Sequence, residues 1–382
     1  PALADRAPAR LLRAPGALLA AGAAAGRRRR SARPGDELLV GLTSGTSGEP
    51  KLFARDHASW AATLERSDAT FDVRPGDLVS TPGPLDHTHF LYGALHALTR
   101  GATVDLRPLG DAFAAGRAVT HAYLVPTLAA DLAQRLGGGG ARGLREALSS
   151  AAPWPGPARD RLRAVAPSAT VSHFLGASEL SFVALDSSRE PGPAGSAGRP
   201  FAGVELEIRD RQGRPLPDGE VGEVFVRSDM LFSGYLTPRG LRGGPSADGW
   251  ATVGDLGSVR DGWLTLAGRA SDTIVSGGFN VEPAAVERAL ADLPGVREVA
   301  CIGLADGRWG AVPAAVLSLE DAAPPPSRAA VRALARERLP QPSRPRRVFV
   351  VDALPRSPRG KLRRADLARL VADGGARELG PG

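Results

Sequence analysis

Two segments of the chain carry its lysines. "TSGTSGEPK", Thr43 to Lys51, ends in one, and "LPRSPRGKLRR", Leu354 to Arg364, contains the other, Lys361; the remaining 46 of the 48 basic residues are arginine. In a sequence this rich in arginine, a lysine stands out: its ammonium is a compact point charge on a flexible stem, whereas guanidinium is a wide planar fork that prefers two acceptors. A narrow site where one charge meets one developing oxyanion suits the ammonium. In "TSGTSGEPK" the small residues leave the backbone free to fold its N–H groups around an anion, and Thr43, Ser44, Thr46 and Ser47 add hydroxyl donors. The segment reads as a phosphate cradle, with a plain Ser/Gly linker as the other reading. It lacks the four-residue gap and Gly-Lys-Ser/Thr ending of a Walker A loop, which argues against a P-loop nucleotidase.

Other chemistry-bearing residues are sparse. Glu179 in "FLGASEL" is a lone carboxylate of the kind a hard cation takes alongside phosphate oxygens. Asp255 in "VGDLG" suits a vicinal diol, and equally suits a turn. His87 and His89 in "LDHTHF" have the spacing of two metal ligands on a strand, but no third donor accompanies them, and a zinc site needs three or four. His173 reads equally as a packed residue and as a substrate contact. The single cysteine, Cys301, lies in an apolar strand-like run, which excludes a disulfide framework and a thiolate metal site and makes the cytoplasm the default compartment.

The elements that must position these residues follow from periodicity. Short apolar runs bounded by turn residues alternate with helical-period segments, which predicts α/β architecture. "DELLVGL" reads as a buried strand leading into the Ser/Gly loop, "HASWAATLERSDATF" and "HFLYGALHALTR" as helices, and "ATVDLRP" and "AYLVP" as strands. From "VELEIRD" through "WLTLAGR" the pattern becomes short, alternating and turn-punctuated, a β-rich subdomain. After Arg269 a small α+β unit begins, so the predicted division is residues 1–269 and 270–382, with the two lysines on different domains.

Net charge is +7 and hydrophobic content 43%. The arginines are interleaved with 41 acidic residues and only Arg27 to Arg30 form a block, so nucleic acid is not an expected partner. "LLRAPGALLAAGAAAG" is interrupted by Arg13 and Pro15 and reads as a helix and loop rather than a leader. No stretch reaches the length of apolar sequence a membrane span needs.

Taken in order, "TSGTSGEPK", "FLGASEL", "GEVGEVFVRSDMLFSGYL", "DGWATVGDLGSVRDGWLTLAGRASDTIVSGGFNVEP" and "LPRSPRGKLRR" resemble the motifs of the adenylate-forming superfamily, the acyl-CoA synthetases, adenylation domains and luciferases. The resemblance covers about residues 40 to 366. It implies a large N-terminal adenylation domain with mixed sheets and a mobile C-terminal lid domain. It implies that Thr43, Ser44, Gly45, Thr46, Ser47, Gly48 and Lys51 hold the phosphates of ATP, that Gly176, Ala177 and Ser178 line the nucleotide site, and that Glu179 holds Mg²⁺. Asp255, with Arg269 beside it, would take the ribose hydroxyls, and His87 would screen the substrate carboxylate. The acid pocket would be lined by "TPGPLDHTHFLYG" and "SHFLGAS". Lys361 would neutralise charge between the α-phosphate and the joining carboxylate, and would leave when the lid swings about a hinge near Ala270 and Ser271 to admit a thiol along "VSGGFNVEP".

Three departures accompany the resemblance. Ser178 stands where threonine is usual, Ser271 where the hinge usually carries Asp or Lys, and the phosphate loop begins at residue 43, where other members carry a long preceding subdomain. The implied reaction is activation of a small carboxylic acid to acyl-AMP with release of pyrophosphate, then thioester formation with coenzyme A. An acyl carrier-protein thiol or an amine is the alternative acceptor, an inactive adenylate-binding relic is a second alternative, and a homodimer is left open. On this reading Lys361→Ala abolishes acyl-AMP formation while largely sparing thioester formation from supplied acyl-AMP, measured as two half-reactions; adenylation at the normal rate would remove Lys361 from the mechanism.

Overall fold

The computed structural model describes residues 32–44, 50–114, 118–136, 141, 143–151, 154, 156–269, 272–276, 279–356 and 362–380. Gly45 to Gly48, Ala270, Ser271 and Lys361, together with the N-terminal helix and loop expected before Arg30, lie outside the described residues.

Four sheets organise the described residues. The largest has seven strands in the order Thr103–Asp105, Leu78–Ser80, His121–Leu124, Glu146–Ser149, Thr170–Ala177, Ser181–Ser187 and Arg199–Pro200. Its first five strands are parallel and its last two pairings antiparallel. His121–Leu124 and Glu146–Ser149 are buried at every position, as central strands of a sheet covered on both faces must be. The β-rich region forms a five-stranded antiparallel sheet that ends in the hairpin Asp255–Arg260 and Trp263–Arg269. A six-stranded sheet built from Ile274–Ser276 onward carries its own apolar core, including Val286, Leu290 and Leu317.

The fourth sheet is antiparallel and carries Thr43 and Lys51 on its first two strands: Glu37–Ser44, Pro50–Asp56, Gly234–Thr237 and Gly240–Arg242. Glu37–Ser44, expected from its apolar run to be buried, is instead an edge strand with Leu38, Val40 and Leu42 exposed. Alternate side chains of a strand share one face, and the face of Leu38, Val40 and Leu42 is left exposed; an apolar run alone does not say which faces of a strand are covered.

The helix His57–Phe71 starts directly after Asp56, whose carboxylate accepts from the Ser59 N–H at 2.8 Å and caps the first turn. Trp60, Thr63, Ser67 and Phe71 form its buried stripe, the spacing of one face of a 3.6-residue period. The helix Thr88–Thr99 begins at His87, which occupies the N-cap position, its Nδ1 accepting from the His89 N–H at 3.3 Å. His87 and His89 therefore flank a helix start rather than share a strand, and their rings lie edge to face with centroids 6.2 Å apart. Cys301 is buried in the strand Val296–Asp306, and burial pushes its thiol up to about 12. Among the described residues no helix is long and apolar enough to cross a membrane.

Candidate active site

A cavity of about 380 Å³ opens where the four-stranded sheet meets the antiparallel end of the seven-stranded one. Its first wall is a three-residue turn. Thr170–Ala177 and Ser181–Ser187 are joined by Ser178, Glu179 and Leu180, with the Leu180 N–H donating to the Ala177 carbonyl at 3.1 Å. The turn is tight enough that a Cβ at Gly176 would come within 2.5 Å of the Ser181 carbonyl oxygen, so glycine is required there by close approach. Ser181 itself takes a left-handed φ of 62°, and such backbone strain often marks a functional segment.

This turn presents Glu179. Its side chain is largely buried, and it accepts a hydrogen bond from the Tyr235 hydroxyl at 3.1 Å. No arginine or lysine pairs with it among the described residues. A buried carboxylate with a neutral donor on one oxygen and no cationic partner suits a hard divalent cation. Among the described residues no group of three or more His, Cys, Asp or Glu side chains could hold a metal, so a cation at Glu179 would draw its other oxygens from a ligand or from water.

Tyr235 links Glu179 to the strand that carries Lys51. Its ring lies 5.1 Å from the Lys51 ammonium, close enough for a cation–π contact, and Tyr235 pairs with Phe53 across the sheet. Burial, and then the adjacent Glu179 charge, raise the Tyr235 phenol well above its ordinary value, so it stays protonated and donates. Thr43 faces Lys51 in the hairpin register and lines the same cavity. The sequence motifs did not single out Tyr235; its signal was only that it is one of three tyrosines.

Ser178 is fixed by a 2.8 Å hydrogen bond between its hydroxyl and that of Thr88 on the facing helix. That bond draws His87, Thr88 and His89 into the cavity wall beside Gly176 and Ala177. His89 is packed among the rings of Phe90, Tyr123 and Phe174. His173 does not line the cavity; its ring stands edge-on to Trp154, 5.9 Å between centroids, and burial lowers it to about 4. Packing rather than substrate contact is its place.

Asp255 and Arg269 face one another in the hairpin register, and the Arg269 Nε donates to the Asp255 carboxylate at 2.8 Å. Arg269 lines the main cavity, while Asp255 opens on a narrow crevice behind it shared with Gly176, Ala177 and Val253, which line the main cavity too. Thr43, Lys51, His87, Gly176, Ala177, Ser178, Glu179 and Arg269 are therefore gathered around one space, with Asp255 adjoining it. Sequence reasoning missed several further residues of the wall, among them Arg55, Trp60 and Ser181.

Comparison with known proteins gives the arrangement a context. Residues 5–236 match the family model described as AMP-binding enzyme, and residues 285–361 match that of the AMP-binding enzyme C-terminal domain. An uncharacterised acyl-CoA ligase, YhfT, of Bacillus subtilis is 36% identical over 89% of this chain and 70% of its own length. The sulfoacetate-CoA ligase of Cupriavidus necator is 31% identical over 88% of this chain and 67% of its own. Another curated relative is spanned to 60% of its length. Among solved structures, ATP-bound MatB from Rhodopseudomonas palustris superposes with a TM-score of 0.79 at 26% identity, covering 89% of this chain and 69% of that one.

Burial, and then the neighbouring His87, lower His89 to about 3. An ordinary histidine titrates near 6.5, so as pH falls below that value the unfolded chain takes a proton that the folded site refuses, and stability falls. The His89 ring resonances are expected to stay flat from pH 8 to pH 5 in NMR titration; a titration midpoint above 6 would show the ring to be solvated.

Proposed function

The chain belongs to the AMP-binding enzyme family, and from that premise we propose that it activates a carboxylic acid with ATP and passes the acyl group to coenzyme A. In the first step a carboxylate oxygen bonds to the α-phosphorus of ATP as the bond to pyrophosphate breaks. In the second, the thiolate of coenzyme A attacks the acyl carbon and AMP leaves. The observation that carries this reading is the meeting, in one cavity, of Lys51 with a buried carboxylate, Glu179, that has no cationic partner among the described residues.

In-line displacement at phosphorus asks the protein for positioning and charge neutralisation rather than for a nucleophile of its own. Thr43 and Lys51 hold the phosphate end, while Asp255, with Arg269 beside it, holds the ribose from the hairpin Asp255–Arg260 and Trp263–Arg269. Mg²⁺ would be held by Glu179 and would neutralise phosphate charge there. Tyr235 keeps the Glu179 carboxylate oriented by its hydrogen bond. His87, fixed as the N-cap of Thr88–Thr99, stands beside the place where the carboxylate enters and screens it. Gly45 to Gly48 complete the phosphate cradle, and Lys361 completes the charge neutralisation from a lid comprising residues 270–382 that closes on the domain of residues 1–269. The reaction runs in the cytoplasm.

Incubation with ATP, Mg²⁺ and a mixed pool of acids is expected to release pyrophosphate, and mass analysis to find a thioester when coenzyme A is present. Acyl transfer to a carrier protein or an amine in place of coenzyme A would change the acceptor, and ATP binding with no pyrophosphate from any acid would overturn the reading. Asp255→Ala is expected to weaken ATP binding roughly tenfold or more by calorimetry, since a hydrogen bond to a charged group contributes about 1.5–3 kcal/mol. Unaltered affinity would remove Asp255 from the nucleotide site.

A further inference from the structure

Arg55 lies on the same strand as Lys51, four residues on, so the two side chains leave the same face of Pro50–Asp56 about 13 Å apart at the usual strand rise. Both line the cavity. Lys51 is exposed, whereas Arg55 is only 2% exposed.

The partners of Arg55 are neutral. Its Nη2 donates to the Ser59 carbonyl at 3.1 Å, to the Thr63 hydroxyl at 2.9 Å and to the Met230 carbonyl at 2.8 Å, and its Nε approaches the Ser59 hydroxyl at 3.4 Å. The guanidinium also lies 5.2 Å from the Trp60 ring centroid. Nη1 takes no hydrogen bond among the described residues, and no carboxylate lies within ion-pair distance of the group. The closest acidic influence is Asp56, whose carboxylate is committed to capping the following helix. Burial draws the guanidinium down to about 10, which still leaves it charged at neutral pH.

An uncompensated buried charge is costly, and evolution usually pairs it or gives it up. The groups around this one extend it instead of neutralising it. Trp60 Nε1 is buried with no partner among the described residues and can only donate. The Ser181 hydroxyl, linked to Thr63 at 3.1 Å, lines the cavity beside it. A planar fork with a free arm, an indole N–H and a hydroxyl make a receptor for a planar or tetrahedral oxyanion.

Resting on the acid-activating reading of this cavity, we propose that Arg55 determines substrate specificity by holding a second anionic group, so that the preferred substrate is a short acid bearing a carboxylate or sulfonate besides the carboxylate that is activated. Lys51 then serves the phosphate end of the cavity and Arg55 the far end of the acid. Trp60 and Ser181 complete the hold on the second anion.

The test compares pyrophosphate release with dicarboxylates from malonate to adipate, with 3-sulfopropionate, and with monocarboxylates matched in length. The wild-type protein is expected to favour one of the dianions by at least tenfold in kcat/KM, the separate sulfonate arm showing which oxyanion is held. Arg55→Met is expected to lower the dianion-to-monoanion ratio roughly 10- to 100-fold, as loss of a charge-assisted pair does. Arg55→Lys, which keeps the charge and loses the fork, covers the case in which the methionine variant fails to fold and is expected to lower the ratio less. A residue that merely stitched strand to loop would depress both acids alike and leave the ratio in place, and that result overturns the proposal, as does equal turnover of both acid classes by the wild-type protein. Calorimetry with the dianions alone separates this failure from failure of the acid-activating reading. Should no acid release pyrophosphate, Arg55-dependent dianion binding would uphold the anion site without the chemistry, and absence of such binding would overturn the site as well.

Discussion

The hydrogen bond from Tyr235 to Glu179 joins the two halves of the cavity. Tyr235 belongs to the four-stranded sheet and pairs with Phe53, two residues from Lys51; Glu179 belongs to the turn that ends the seven-stranded sheet. The same contact line includes the Phe232 N–H, which donates to the Glu179 carbonyl at 2.9 Å. Tyr235 thus touches both groups, the lysine through its ring and the carboxylate through its hydroxyl.

The rest of the wall depends on that junction. With the turn anchored at Glu179, Ser178 reaches Thr88 and brings the helix start at His87 alongside. Gly176 lets the two strands close on each other at the turn. The Thr63–Ser181 hydroxyl contact ties the next residues of the turn to the helix that Asp56 caps, and Arg55 spans from that helix to the Met230 carbonyl. Among the described residues, Lys51, Arg55 and Arg269 stand along the strand and the hairpin that border the cavity, with Glu179 on its wall and Asp255 of the adjoining crevice paired to Arg269. An excess of positive lining charge favours polyanionic ligands through the field of the whole cleft.

Much of this was legible in the order of the motifs. Gly176, Ala177, Ser178 and Glu179 are consecutive, and a tight turn puts consecutive residues in one place whatever surrounds them. The helix over His57–Phe71 was legible from the spacing of Trp60, Thr63, Ser67 and Phe71. Less legible was the setting of each strand. The run at Leu38 to Leu42 has the composition of a buried strand and lies at an edge, and the His87–His89 spacing suits a strand and sits at a helix start. In both cases the local pattern is compatible with two environments, and tertiary packing decides between them.

By itself the amino-acid sequence determined the alternation of strands and helices, the motif that carries Glu179 and the contrast of two lysines with 46 arginines, because these rest on residues near in the chain or on composition. Only the tertiary structure decided that, among the described residues, Arg55 is buried without a countercharge, and that Tyr235 contacts both Lys51 and Glu179. Arg55 and Met230 are 175 residues apart, and Tyr235 and Glu179 are 56 apart. Strand register across a sheet sets such meetings, and register depends on the packing of whole faces rather than on the identity of the residues that meet.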